Sequence, residues 1–432
     1  MKAARFHAPG DIRLEEVPDP TAGAGDLVIR VRNCSTCGTD VKISRYGHHH
    51  IVPPRTMGHE IAGEIVEVGA GVEEWRVGDR VQVIAAIPCG ICRDCLAGRM
   101  TICPNQTSMG YHFDGGFAQY CRVPAAVLAV RGVNRIPDTV SFAEASVAEP
   151  LACVINGQQL ARVGNGDDVA ILGAGPIGCL HVRVARAAGA NRIFLIDLNE
   201  DRLAEAEQFV HPDAVIAPSA SNPVDRVLEL TDGRGVDVAI TATAAGAAQE
   251  QALLMLARQG RMSLFGGLPK DKPNITLDSN LVHYRELTLV GANGSSPAHN
   301  ALALDYIATG RVPVNDLITH HLPLDDVLEG IEIVARGDAI KVTIEPRHLD
   351  TGAGRAPIVA KEHHHDEPNR SRRIHQRVAR PSRGDVRQGC RCCTGEGANR
   401  RRREEACERG EHAGRLVARR HLRHDRHAGD RR

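Results

Sequence analysis

Four cysteines, Cys89, Cys92, Cys95 and Cys103, stand in the pattern C-x2-C-x2-C-x7-C within a loop punctuated by Gly90 and Gly98. Four thiolates at this spacing close a tetrahedral shell around zinc and leave no position for a substrate, so the site they predict is structural. No core independent of metal is evident across residues 88–105, and metal binding would therefore supply the folding free energy of that lobe. A second set of donors is more scattered. Cys37 in Cys37-Gly38-Thr39-Asp40, His59 and Glu60 after Gly58, and Glu149 before Pro150-Leu151 offer one thiolate, one imidazole and two carboxylates. A catalytic zinc needs three protein ligands and one exchangeable position. Each of these fragments alone reads equally as a packed thiol or an ordinary turn; together they predict an open metal site.

A third constellation is G-x-G-x-x-G, formed by Gly173, Gly175 and Gly178 with Pro176 and Ile177 inside it. It follows an apolar strand and opens a helix, the context in which the pattern binds a dinucleotide. The first glycine permits the tight turn, the second admits the pyrophosphate, and the third lets the helix pack on the strand. The helix N-terminus then presents free N–H groups to phosphate. Asp197, at the end of the next strand, is suited to accept from both hydroxyls of an adenosine ribose and to repel a 2′-phosphate, which favours NAD over NADP. Arg202 reads either as a contact on the adenosine side or as a solvated arginine on a helix face.

The elements that must position these groups fall into two textures. Short strands at 26–31, 61–68, 80–84 and 117–123, separated by Gly and Pro, predict a β-rich domain. From residue 166 the chain alternates strand and helix: strands at 168–172, 192–196, 236–240, 261–265 and 287–290, a helix ending at 188 and another at 249–256. Such alternation predicts an α/β domain with a doubly wound parallel sheet. A helix at 300–308, a segment at 317–322, a helix at 324–335 and a strand at 339–344 are expected to return to the first domain. The division expected is 1–155, completed by 292–346, for the β-rich domain, and 156–291 for the nucleotide-binding one.

A chain of 432 residues exceeds one core, and its 42% apolar content is that of a globular protein. No run of about 18 apolar residues predicts a membrane span. The N-terminus lacks the layout of a secretory leader, so the expected location is the cytoplasm, where 13 cysteines serve as ligands and free thiols rather than disulfides.

In their order along the chain, Cys37-Gly-Thr-Asp, Gly-His-Glu, the four-cysteine loop, Glu149-Pro-Leu and Gly-Ala-Gly-Pro-Ile-Gly resemble the motifs of the zinc-containing medium-chain dehydrogenases/reductases. The resemblance spans roughly residues 1–346. It implies a GroES-like catalytic domain and a Rossmann domain with the active site in the cleft between them. Cys37 and His59 would ligate a catalytic zinc, with Glu60 and Glu149 as a pair of which one or both coordinate. Thr39 would relay the hydroxyl proton. Asp40 would orient a ligand or cap a helix, and Cys34 would be packing. Because Glu149 stands where alcohol dehydrogenases of the family carry cysteine, the branch resembled is that of the sorbitol (L-iditol), threonine and polyol dehydrogenases. The activity implied is zinc-assisted hydride transfer between NAD and the secondary alcohol of a polyol, sugar derivative or related small substrate. Threonine-type amino-alcohol oxidation, or a nonenzymatic dinucleotide-binding sensor, are the alternatives. A homodimer or homotetramer is implied, joined through the edge strand near 287–291.

Two features depart from the family. Ile43 replaces the tyrosine with which sorbitol dehydrogenases touch the sugar alcohol. Tyr46 and the run His48-His49-His50 follow it, as contacts for a substrate phosphate or carboxylate or as a solvated loop. The second departure is the tail. Residues 351–432 hold 21 Arg and 1 Lys against 11 acidic groups, with no Phe, Trp or Tyr, although the formal charge of the whole chain is zero. Such a composition predicts disorder, and it resembles out-of-frame translation of GC-rich DNA. A basic arm for nucleic acid is the rival reading, but nucleic acid is not the expected partner without aromatic or groove-fitting elements. Mass spectrometry of the native protein is expected to place its C-terminus near residues 346–354; peptides from the arginine-rich stretch would refute the frameshift reading.

Overall fold

Alternation within the strand Asp168–Leu172 splits its side chains between two cores. Val169 and Ile171 join one apolar cluster, Ala170 and Leu172 another. A strand buried on both faces belongs at the centre of a sheet covered by helices on each side. The computed structural model, which describes residues 1–347, places it there. Six parallel strands run in the order Ala214–Ile216, Arg192–Ile196, Asp168–Leu172, Val236–Thr241, Leu256–Leu264, Thr288–Gly291. Helices Ala148–Ala161, Pro176–Ala187 and Pro297–Ala308 contribute to the first cluster, and Gly246–Leu254 to the second.

The other large sheet is mostly antiparallel and centres on Leu27–Ser35, which pairs with Glu60–Val68, Tyr120–Val123 and Lys341–Glu345. The last strand thus closes on one of the first. Parallel to it lies Ile318–Pro323, the segment expected at 317–322. The expectations for residues 350–432 lie outside the described residues. Among the described residues no helix is long and apolar enough to cross a membrane.

Where the elements differ from expectation, local chemistry explains it. The helix expected at 249–256 ends at Leu254, and the next strand begins at Leu256 rather than 261. Pairing of that strand shifts register between Val236 and Val238, and Gln259 takes φ +59°. This irregularity puts polar Arg258-Gln259 inside a strand and hides its alternation. Among the helices not expected, two position site residues. Gly38–Tyr46 begins with poor helix formers but carries a reciprocal capping box, in which Cys37 Sγ accepts from the first-turn backbone and Asp40 accepts from Cys37 N–H. Ala148–Ala161 tolerates Pro150 because it falls in the first turn, where no helical N–H bond is lost.

Candidate active site

The capping box fixes the first donor. Cys37 is the N-cap of Gly38–Tyr46, its sulfur accepts from Thr39 N–H at 3.2 Å, and Asp40 Oδ2 accepts from Cys37 N–H at 2.9 Å. The second oxygen of Asp40 lies 3.7 Å from Nδ1 of His59. Capping is thus made by one oxygen of a fully buried carboxylate, while the other faces the His59 ring without a hydrogen bond. His59 turns its other nitrogen, Nε2, to within 3.3 Å of Cys37 Sγ. Glu60 opens the strand Glu60–Val68, and one donor atom each from Cys37, His59 and Glu60 lie within 4.8 Å of one another. Glu149, in the first turn of Ala148–Ala161, lines the same cleft but stands outside that set; Cys153, one turn further on, donates to its Oε1 at 3.7 Å.

A residue that sequence reasoning missed completes the centre. Lys341 is buried, and its Nζ lies 2.8 and 2.5 Å from the two oxygens of Glu60 while donating to the Thr36 carbonyl at 2.8 Å. The sequence did contain a clue, since a lysine inside the apolar run Ala339-Ile340-Lys341-Val342 must be paired if the strand is buried. Burial pushes the Glu60 carboxyl up to about 7 against the pull of Lys341 and His59, and it raises Glu149 and Asp40 as well. Around His59, burial opposes charge, but Cys37, Asp40 and Glu149 outweigh it and favour the cation. One thiol and three carboxyl groups thus face one imidazole and one ammonium.

That excess of acidic donors suits a metal cation. A tetrahedral zinc with sulfur at about 2.3 Å and nitrogen at about 2.0 Å sets those two ligands roughly 3.5 Å apart, close to the 3.3 Å observed. The donor chemistry of Cys37, His59 and a carboxylate fits zinc with one position open.

The cleft has a volume of about 510 Å³. Its catalytic wall carries Cys37, Thr39, Lys42, His59 and Tyr111; the facing wall carries Ile177, Thr243 and Phe265 at the C-terminal ends of the parallel strands. There the glycine fingerprint behaves as its spacing predicts. Gly173 has φ +118°, a Cβ on Gly175 would meet nothing within 4 Å, and one on Gly178 would run into the carbonyl of Gly173. Turn, open approach and close packing are each accounted for. Pro176 is the first residue of the helix and Ile177 reaches the cleft. Asp197 Oδ2 accepts from Ala174 N–H at 2.7 Å and Oδ1 from Asn199 N–H at 2.9 Å, so the carboxylate also braces the turn. Arg202, on the helix Glu200–Val210, brings its guanidinium up to Gly337.

Cys89, Cys92, Cys95 and Cys103 converge as one cluster. Cys89 and Cys95 sulfurs are 4.0 Å apart, Cys92 and Cys103 sulfurs 3.9 Å, near the edge of about 3.8 Å that a tetrahedron of Zn–S bonds requires. Backbone N–H groups of Ile91 and Cys92 lower the Cys89 thiol to about 6. Ile91, Leu96 and Ile102 of this lobe are 81%, 76% and 55% exposed. With its aliphatic residues facing outward, the lobe has no apolar core, as expected, and the four sulfurs are its centre. Elsewhere Cys34 is packed and fully buried, Ile43 is buried in the β-rich core away from the cleft lining, and Tyr46 is exposed.

Residues 23–134 match the family model described as alcohol dehydrogenase GroES-like domain, and residues 176–309 that described as zinc-binding dehydrogenase. The chain is 35% identical over 335 residues to an L-threonine 3-dehydrogenase of Pyrococcus horikoshii, covering 76% of this chain and 93% of the relative. A sorbitol dehydrogenase of Halalkalibacterium halodurans is 31% identical over 343 residues, 79% of this chain and 97% of its own. A solved zinc-binding dehydrogenase of Sinorhizobium meliloti, bound to NADP, superposes with a TM-score of 0.75 at 32% identity, over 80% of this chain and 99% of that one.

Zinc analysis of the purified protein is expected to find two ions per chain, and one in Cys103→Ser, with a lower melting temperature because the lobe loses its only centre. Lys341→Met leaves Glu60 buried without its cation; urea unfolding of the metal-free protein is expected to show a loss of about 3–5 kcal/mol, much of it recovered when Glu60→Gln is added.

Proposed function

The chain belongs to the zinc-containing medium-chain dehydrogenases/reductases, and from that premise we propose that its cleft moves a hydride between NAD and the secondary alcohol or ketone of a small polyol, sugar derivative or related substrate. The observation that carries the proposal is the juxtaposition of Cys37, His59 and Glu60 with a glycine turn on the opposite wall of one cleft. In an α/β sheet, ligands bind at the carboxyl ends of the strands, which is the wall that faces the donors. When bound, zinc supplies Lewis acidity to the substrate hydroxyl, and NAD takes the hydride.

The chain's own groups have separable tasks. Cys37 and His59 hold the metal, and Asp40 fixes the ring of His59 so that Nε2 faces it. Glu60 is the carboxylate gathered with them, and Glu149 is the second, within reach on the cleft wall. Thr39, in the cleft beside Cys37, accepts the hydroxyl proton and passes it outward. Gly173, Gly175, Pro176, Ile177 and Gly178 cradle the pyrophosphate, while Asp197 receives the ribose hydroxyls on lone pairs left over from bracing the turn. The charge of Asp197 supports NAD, although the Sinorhizobium relative was solved with NADP. Cys89, Cys92, Cys95 and Cys103 hold the structural zinc. Threonine-type oxidation is the second reading, favoured by the Pyrococcus relative. We also propose the division 1–155 with 292–346 and 156–291 for the two domains, and a dimer or tetramer joined along the edge strand Thr288–Gly291.

Absorbance at 340 nm with NAD and a panel of polyols, polyol phosphates, vicinal diols and L-threonine is expected to identify an oxidised substrate. Replacing Cys37 by Ser or His59 by Ala should cost at least about 100-fold in kcat/KM, and NADP should serve at least about tenfold less well than NAD. Turnover that persists in either variant would refute the assignment.

A further inference from the structure

The loop after helix Gly38–Tyr46 crowds three imidazoles together and against a fourth. Ring centroids are 4.5 Å apart for His48 and His49, 4.0 Å for His49 and His50, and 4.8 Å for His50 and His112. His48 meets Tyr111 edge-on at 4.8 Å, and Tyr111 lies 6.0 Å from His59 on the cleft wall. The cluster therefore stands at the cleft rim, one aromatic ring removed from the candidate metal centre. Lys42 lines the same cleft. Lys270, on the loop that leaves the strand Leu256–Leu264, acts electrostatically on His48 and His49 from the other lobe.

The proton positions decide what such a rim can hold. Nδ1 of His48 accepts from His50 N–H at 3.4 Å, and Nδ1 of His112 accepts from Ser108 N–H at 3.1 Å. Each neutral ring therefore carries its proton on Nε2 and offers an N–H donor. A metal ion needs converging lone pairs; an anionic oxygen needs converging donors and nearby cations. We propose that this rim binds an oxyanion, a carboxylate or phosphate carried by the substrate at the end remote from the reacting carbon. The identification with substrate rests on the oxidoreductase reading above; the oxyanion site itself does not.

The charge state of the rim supports the proposal and gives it a pH signature. Burial, the neighbouring imidazoles His49, His50 and His112, and Lys270 hold His48 down to about 4. His49 is lowered chiefly by His50, then by burial and Lys270, and His112 by burial, His50, Arg55 and His49. Lowered in this way, the rings of His48, His49 and His112 favour the uncharged form. An oxyanion among them raises their pKa, so binding takes up protons, is strongest in mild acid, and weakens as pH rises.

The test is calorimetric titration of the full-length, zinc-loaded protein with inorganic phosphate and with acetate, at pH 6 and pH 8, in two buffers of different ionisation heat. One site is expected, with proton uptake at pH 6, affinity falling about tenfold by pH 8, and a further loss of about tenfold in His49→Asn/His50→Asn and in Lys270→Met. Preference for phosphate would identify phosphorylated substrates, and preference for acetate carboxylated ones. Phosphate and acetate binding that is absent, or undiminished in both variants relative to the unaltered protein, overturns the proposal, as does uptake of a third zinc that the histidine variant loses while neither anion binds. Oxidation of a neutral vicinal diol by the unaltered protein tests the oxidoreductase reading separately. Diol turnover without anion binding sinks only the rim, and anion binding without turnover of any alcohol sinks only the enzyme.

Discussion

A buried charge balance governs the centre of this protein. Cys37, Asp40, Glu60 and Glu149 are gathered where water is scarce, and ionised groups in such a place survive only if they are paired. Lys341 and His59 supply part of the compensation from within the chain. A divalent metal supplies the rest. The arrangement explains why the ligands can sit so close without mutual repulsion forcing them apart, and why the ammonium contacts both oxygens of one carboxylate.

The rest of the architecture serves that balance. The capping box at Cys37 makes one helix start present a sulfur and bury an aspartate together. The strand Leu27–Ser35 is a hub on which Glu60–Val68 and Lys341–Glu345 both register, so the carboxylate and its ammonium come from strands on either side of one neighbour. Across the cleft, the parallel sheet delivers a glycine turn with no side chain in the way. Chemistry at the mouth follows from a different local rule, the pairing of imidazole Nδ1 atoms with backbone N–H groups.

Legibility in the sequence tracked how local each constraint is. The four-cysteine loop and the glycine fingerprint are encoded within a few residues, and the structure gathers both as spacing required. Strands written as short continuous apolar runs, such as Asp168–Leu172 and Arg192–Ile196, were readable to the residue. Legibility failed where tertiary partners decide. Gly38–Tyr46 is a helix because a side chain caps it, not because its residues favour helix. Leu256–Leu264 begins early because a bulge accommodates polar residues. Lys341 could be flagged as a buried lysine, but its partner lies 281 residues earlier, and no local pattern announces such a pair. The approach of Arg202 to Gly337 was equally illegible, since Gly337 belongs to another element.

That separation of Glu60 from Lys341 also fixes a timetable. During synthesis Cys37, His59 and Glu60 leave the ribosome long before the strand that neutralises them. Through most of translation the acidic cluster exists without its ammonium, and the hub strand lacks one neighbour at its Cys34-Ser35 end. The ligand pocket is therefore assembled by the last strand of the described fold rather than by the segment that contains the ligands. A ribosome-stalled chain ending before residue 341 would hold every metal donor and still be an unfinished enzyme.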